Sequence, residues 1–150
     1  AKPVERASDA VWSLIYTSGT TGNPKGVLYE HRSTMLHAIT SIQPALFDFD
    51  ARSVMLPVVP MFHAASWGLP WGGAAAGIKF VFSAVNDPAV LCDLMNRENV
   101  THSAGVPTVW LATFQHMDAT GTTLASNDDW GTSTNTAALT AASAQFYFTK

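Results

Sequence analysis

Cysteine is nearly missing from this 150-residue chain. Cys92 stands alone, which excludes an internal disulfide and a zinc site built from cysteines. It sits in the helical pattern Val90-Leu91-Cys92-Asp93-Leu94-Met95, where it reads as a small core residue rather than a nucleophile. Charge is scarce as well: Asp, Glu, Lys and Arg make up 13% of the residues, against about 25% in ordinary globular domains. The net charge is −3, and the basic residues form neither patch nor stripe, which argues against general nucleic-acid binding. No apolar run reaches the ~20 residues of a membrane-spanning helix. The weakly polar region 64–82 is interrupted by glycines, Pro70 and Lys79 and reads as a buried helix followed by a strand. No charged segment followed by an apolar block opens the chain, so no secretory signal is expected. Ala1 stands where an initiator Met would be, and the chain is expected to be an excised piece.

What remains is apolar. With 47% hydrophobic residues the chain can form one domain, burying about 70% of its unfolded surface. So little solvating charge implies surface meant to be covered.

The stretch with the most chemistry is Tyr16-Thr17-Ser18-Gly19-Thr20-Thr21-Gly22-Asn23-Pro24-Lys25-Gly26, which follows the apolar run Val11-Trp12-Ser13-Leu14-Ile15. Its three glycines leave backbone N–H groups uncovered and allow positive φ, so that successive amides can converge on an anion. Thr17, Ser18, Thr20 and Thr21 can donate hydroxyl hydrogens to phosphate oxygens, and Lys25 adds a full positive charge. Pro24 fixes φ before the lysine and lowers the entropy lost on closure. The Walker A pattern does not fit: Pro24 precedes Lys25 where glycine is required, and Gly26 follows where a hydroxyl is required.

Strand patterns cover residues 10–17, as a buried strand that delivers the loop, and Val27-Leu28-Tyr29, as its return. Residues 32–43 have Met35, Leu36, Ile39 and Ile42 at helical spacing on one face, closed by Pro44. His31 and His37 near this helix read as structural residues. Phe47-Asp48-Phe49-Asp50 reads as a solvated acidic turn. A strand at 53–57 is followed by a helix of small and aromatic residues at 62–77 and a strand at 78–82. A helix at 87–96 is capped by Asp87 with Pro88 in its first turn; a strand at 100–103 and a helix at 107–117 complete the series. This alternation predicts an α/β domain, mainly parallel sheet with flanking helices. Pro60-Met61-Phe62-His63 is a second candidate site. A lone histidine there is, on spacing alone, either a hydrogen-bonded core residue or a site residue. Trp67 lies four residues on, so a helix would place it on the same face as His63.

The phosphate-type loop resembles the signature loop of the adenylate-forming superfamily, which includes acyl-CoA synthetases, firefly luciferases and peptide-synthetase adenylation domains. Tyr29-Glu30-His31-Arg32-Ser33, Leu56-Pro57-Val58-Val59-Pro60-Met61-Phe62-His63 and Ala104-Gly105-Val106-Pro107-Thr108-Val109-Trp110 are most similar to its medium- and long-chain fatty-acid branch. The resemblance implies part of the large N-terminal domain of a ligase. That enzyme activates a fatty carboxylate with ATP as acyl-adenylate and passes it to CoA. It implies that Thr17, Ser18, Gly19, Thr20, Thr21, Gly22 and Lys25 hold ATP phosphates, with Thr17 as a magnesium ligand. His63, Trp67, Gly105 and Pro107 would border the acyl and adenylate pocket, with Trp67 closing the acyl channel until nucleotide binds. No residue is implied as a nucleophile. The complete enzyme would be cytoplasmic, with a membrane-peripheral setting and a homodimer both open. Another adenylate-forming ligase, for aryl or amino acids, and a truncated, non-catalytic nucleotide-binding module are the alternatives; an inert, aggregating product is a third.

The resemblance covers residues 10–126, giving a partial AMP-binding domain at 1–126 and a divergent tail at 127–150. Where a strand ending in a glycine pair is expected, Asn127-Asp128-Asp129-Trp130-Gly131-Thr132-Ser133-Thr134-Asn135-Thr136-Ala137-Ala138 carries no strand pattern. A change of reading frame near Ser126, or another truncation, is expected there, with a poorly ordered tail. The family's Tyr-Gly-x-Thr-Glu and Thr-Gly-Asp segments and its late catalytic lysine have no counterpart in these residues, so the chain alone is expected to turn over little or nothing.

Overall fold

The computed structural model describes residues 5–17, 22–124 and 146–149. Two strands, β1 (Val11–Tyr16) and β2 (Gly26–Glu30), form a separate antiparallel ribbon, and α1 (His31–Ser41) follows β2 directly. The main sheet contains β3 (Val54–Pro57), β4 (Lys79–Phe80), β5 (His102–Gly105) and β6 (Phe146–Thr149) in the order β4-β3-β5-β6. β3 runs parallel to β4 and β5, and β6 is antiparallel to β5. Helices α2 (Leu69–Ala76), α3 (Pro88–Glu98) and α4 (Pro107–Thr120) connect or follow the strands. The fold class is α/β, with a largely parallel sheet between helices, as the sequence alternation predicts. β6 is the one described element of the tail; the rest of residues 125–150, with the Thr- and Ala-rich run, lies outside the described residues.

The sheet divides two apolar clusters because side chains alternate along a strand. Leu56 on β3 packs with Leu91, Cys92 and Met95 of α3 and with Trp110 and Phe114 of α4. Its neighbour Met55 faces the other way, into Phe47, Phe49, Val59, Trp67, Leu69 and Ala104. Cys92 is a buried free thiol, and burial pushes its pKa up, in keeping with a core residue. Asp87 caps α3: its Oδ1 accepts from the N–H groups of Ala89 (3.0 Å) and Val90 (3.2 Å), with Pro88 at the first position. Asn99 ends α3 at φ 52°, and Val100 is spent as a core residue before pairing begins. β5 therefore starts two residues later than the pattern at 100–103 suggests.

Asp50 lies in an exposed turn. Its carboxylate takes hydrogen bonds from Arg52 Nε (2.9 Å) and Arg52 N (2.8 Å), and these hold its pKa below the usual value. The flanking Phe47 and Phe49 are core residues stacked at 5.1 Å, so only the carboxylates of this segment behave as a solvated turn.

Three sequence expectations are corrected. Strand β1 is not buried, since Val11, Leu14 and Tyr16 are exposed; a ribbon of two strands has no third layer to cover both faces. The apolar stripe of α1 is exposed too. This helix buries Ala38 and Ser41 instead, because glycine at Gly72 lets α2 approach so closely that a Cβ there would overlap Ser41 Oγ. The helix expected over 62–77 begins only at Leu69. Before it, Ala64, Ala65, Ser66 and Trp67 adopt φ values of 47° to 55°, and Gly68 follows at 78°, a turn of left-handed helix. His63 and Trp67 accordingly do not share a right-handed helix face.

The left-handed turn costs roughly 1–2 kcal/mol per non-glycine residue. It is held from below by buried Ser66, whose Oγ donates to the Val59 carbonyl at 3.1 Å and whose N–H donates to the His63 carbonyl at 2.9 Å. Ala65→Gly is expected to raise unfolding free energy by about 1 kcal/mol, read from a thermal or urea melt; in a right-handed helix the same change would lower it by a similar amount.

His102 is buried at the start of β5, with its Nδ1 2.7 Å from Thr101 Oγ1 and its ring edge-on to Phe49. Burial lowers its pKa below the ordinary 6.5, outweighing the opposing pull of the Phe47 backbone, Asp48 and Asp50. The unfolded chain therefore takes up this proton first as pH falls. Stability is expected to be complete above about pH 6.5 and to decline below it by up to roughly 1.4 kcal/mol per pH unit. His102→Gln should remove this component of the slope in melts recorded from pH 7.5 to 5.

Candidate functional site

The ribbon closes the neck of the loop. Pairing runs from Ile15 and Val27 through Tyr16 and Gly26 to Thr17 and Lys25, where the Thr17 N–H donates to the Lys25 carbonyl at 2.9 Å and the Lys25 N–H donates to Thr17 Oγ1 at 3.3 Å. Thr17 and Lys25, the residues flanking 18–24, are thereby fixed against each other. Lys25 is exposed, as is Gly22. Ser18, Gly19, Thr20 and Thr21, expected to meet phosphate, lie outside the described residues.

A cleft of about 880 Å³ opens beside this neck, lined among others by Ile15, Thr17, Tyr29, Phe62, His63 and Trp71. The structure therefore brings Thr17 and His63, 46 positions apart in sequence, to the walls of one cleft. His63 is exposed at the entrance to the left-handed turn and has extended backbone, φ −87° and ψ 108°. Its N–H donates to the Pro60 carbonyl at 3.0 Å, a turn made by Pro60-Met61-Phe62-His63 that lifts the imidazole out of the core.

A second cavity, of about 410 Å³, lies between α1, the ribbon and the left-handed turn, with Trp12, Thr34, His37, Trp67, Gly68 and Trp71 in its wall. Both spaces share Trp12, Ile15, Tyr29, Ala64, Ala65 and Trp71. The Trp12 and Trp71 rings meet at 4.7 Å, tilted by 59°, and Trp12 Nε1 donates to Thr34 Oγ1. Trp67 belongs to this second cavity rather than the first, and the turn that carries it forms part of the boundary between them. His37 packs directly on the turn: a Cβ at Gly68 would overlap its ring. His37 is thus both structural, as its flank position suggests, and cavity-lining.

Gly105 and Pro107 are not among the residues lining either space. Gly105 ends β5 beneath Trp110, whose Nε1 donates to the Gly105 carbonyl at 3.1 Å; a Cβ on Gly105 would stand 3.0 Å from Trp110 Cζ2. Their link to the rest is through the backbone, where the Val58 N–H donates to the Ala104 carbonyl at 2.8 Å and joins the end of β5 to the segment that leads to His63. Sequence reasoning missed Trp12, Tyr29 and Trp71. The spacing of Trp67 and Trp71 was the available signal, but the reversal of backbone hand between them hides their relation.

Among the described residues no group of three His, Cys, Asp or Glu side chains is placed to hold a metal ion. Thr17 offers one hydroxyl oxygen, already accepting a hydrogen bond from Lys25 N. A magnesium ion here would take most of its ligands from phosphate oxygens and water, as is usual for this ion. No described helix is long and apolar enough to cross a membrane.

Comparison with known proteins agrees with this architecture. The family model described as "AMP-binding enzyme" matches residues 1–146, past the point at Ser126 where the resemblance was expected to end. The medium-chain-fatty-acid–CoA ligase of Ectopseudomonas oleovorans is 52% identical over 99 residues, 65% of this chain and 18% of the ligase. The long-chain-fatty-acid–CoA ligase of Thermus thermophilus is 43% identical over 122 residues, 81% of this chain and 23% of the ligase. This chain thus spans about a fifth of the length of these relatives. Among solved structures, the inhibitor-bound N-terminal domain of FACL13 from Mycobacterium tuberculosis superposes with a TM-score of 0.67 at 30% identity, over 76% of this chain and 28% of that one. ATP-bound MatB from Rhodopseudomonas palustris gives a TM-score of 0.66 at 26% identity, over 75% and 22%. Family pattern, ligase relatives and superposed N-terminal domains agree, and the chain belongs to the AMP-binding enzyme family.

Proposed function

We propose that residues 1–126 are the phosphate-gripping part of a fatty-acid–CoA ligase and that residues 127–150 are a divergent tail. The observation that carries this reading is the cleft shared by Thr17 and His63 beside a loop clamped at its neck. In the complete enzyme, a carboxylate oxygen of the fatty acid attacks the α-phosphorus of ATP and expels pyrophosphate. The thiolate of CoA then attacks the acyl carbonyl carbon and expels AMP. The roles of this chain are positioning and charge. Backbone N–H groups and hydroxyls of Thr17, Ser18, Gly19, Thr20, Thr21 and Gly22, with the ammonium of Lys25, hold phosphate oxygens, and Thr17 contributes to magnesium. His63 borders the reacting carboxylate, Trp67 acts on the acyl side from the adjoining aromatic cavity, and Gly105 and Pro107 act on it indirectly, through the backbone link between Ala104 and Val58. Names of the relatives support a fatty acid as substrate, and an ATP-bound neighbour supports the nucleotide. Cytoplasmic placement and a homodimeric complete enzyme belong to the same proposal.

A second reading, a nucleotide-binding module without turnover, is favoured for the isolated chain, because it contains neither the family's ribose- and magnesium-binding segments nor its late lysine. The two readings separate cleanly in calorimetry and turnover assays. This chain is expected to bind ATP with magnesium saturably, and Lys25→Ala is expected to weaken that binding at least tenfold, about 1.4 kcal/mol. Acyl-CoA formation from a fatty acid, ATP and CoA should stay at background. Absence of saturable ATP binding would overturn the assignment of the loop, and measurable thioester formation would overturn the inactive-module reading.

A further inference from the structure

Two spaces follow one another along one face of α1. Ser33, Thr34 and His37 line the aromatic cavity of about 410 Å³, and His37, Thr40 and Ser41 line a further space of about 260 Å³ that Ala45, Leu46 and Phe47 complete. Positions three and four apart share a helix face, so a single stripe of α1 borders both. The aromatic cavity in turn adjoins the cleft beside the phosphate-type loop, with Trp12, Ile15 and Trp71 common to the two walls. Among the described residues, His37 alone belongs to the walls of both the aromatic cavity and the further space. Its ring packs on the backbone of Gly68, where a Cβ would overlap it, and is thereby held against the left-handed turn. No described Asp, Glu, Lys or Arg lines the cleft, the cavity or the further space. The series suits an uncharged tail whose charged end stays in the cleft.

We propose that His37 is a partition that sets acyl-chain length: the hydrocarbon tail of the acid runs from the cleft into the aromatic cavity and stops at the imidazole, short of the space beyond. The inference rests on the reading of the cleft as the place of carboxylate activation, and adds the residue that measures the tail. A methylene moved from water onto an apolar wall strengthens binding roughly fourfold. Affinity therefore climbs with chain length while each added carbon meets Trp12, Trp67 or Trp71. A carbon added past that point meets a polar ring already packed on Gly68, and the gain ceases. Without the ring the tail gains the length of α1 from His37 to Ser41, about 6 Å.

The test titrates fatty acids from butanoic to hexadecanoic into the 150-residue chain, below their micelle-forming concentrations, with and without ATP and magnesium. Binding is read from tryptophan fluorescence, since Trp12, Trp67 and Trp71 stand in the cavity wall. The dissociation constant is expected to fall roughly fourfold per added carbon and then to level off. In His37→Ala the levelling should move to acids longer by at least about two carbons, which then bind at least about tenfold more tightly than to the unaltered chain. Ala45→Phe, which fills the further space, should reverse that gain in the His37→Ala background. Alone, it should leave every affinity of the unaltered chain within about twofold. Levelling at the same length with and without the imidazole would overturn the proposal. So would a loss of affinity for long acids on Ala45→Phe alone, a result that decides the matter even where His37→Ala fails to melt cooperatively. Bound ATP with no acid bound under either condition would overturn the partition and leave the assignment of the loop standing; bound acid without bound ATP would do the reverse.

Discussion

The two-sided burial of β3 is the constraint on which the remaining structure depends. Its four residues, Val54–Pro57, pair with β4 on one edge and β5 on the other. Met55 and Leu56 send side chains into opposite cores. Parallel neighbours require crossover connections, and α2 and α3 supply them, so one short strand dictates that helices lie on both faces. Thr101 adds a local lock: its Oγ1 accepts from the Val54 N–H at 2.8 Å, and its own N–H donates to the Val54 carbonyl at 2.9 Å. Ser103 repeats the device one residue pair later, with its Oγ 2.7 Å from the Leu56 carbonyl. Ser103 is buried and Thr101 half-buried at the strand interface, where each has a backbone partner.

What leaves the end of β3 shapes the candidate site. Val58 and Val59 remain in the core, Pro60 turns the chain, and Phe62 and His63 are exposed before the left-handed turn brings Trp67 back into the core. The hand of that turn matters to function. A right-handed helix from residue 62 would have put His63 and Trp67 on one face and merged their surroundings. The observed backbone assigns His63 to the cleft beside the phosphate-type loop and Trp67 to the aromatic cavity under α1. Ala64 and Ala65 border both spaces, so the two adjoin along a segment whose left-handed conformation is costly.

Much of the architecture was legible because local signals agreed with the final packing. The Asp87-Pro88 start, the β-rich run before the loop, and the alternation of strand and helix all have local causes. The misread elements share a different trait. The stripe of α1 reads as a core face, but Met35, Leu36 and Ile39 are exposed, and Ala38 and Ser41 make the buried contact instead, opposite Gly72. The turn at 64–67 carries alanines and a serine that favour a right-handed helix, and nothing in their periodicity announces the opposite hand. Gly105 was readable as a tight turn, whereas its role beneath the Trp110 ring depended on knowing which way α4 leaves the strand.

By itself the sequence determined the class of fold, the place of the phosphate-type loop between two strands, the cap of α3 and the burial of Cys92. Each of these is set by residues a few positions apart, through dihedral preference, capping and alternation. Only the tertiary structure decided that Thr17 and His63 face one cleft, that Trp67 faces another, and that the apolar residues of the ribbon and α1 point outward. Such relations join segments far apart in the chain. They depend on the close approach of backbones at Gly68 and Gly72 and on the hand of one strained turn, and neither leaves a periodic trace in the order of residues.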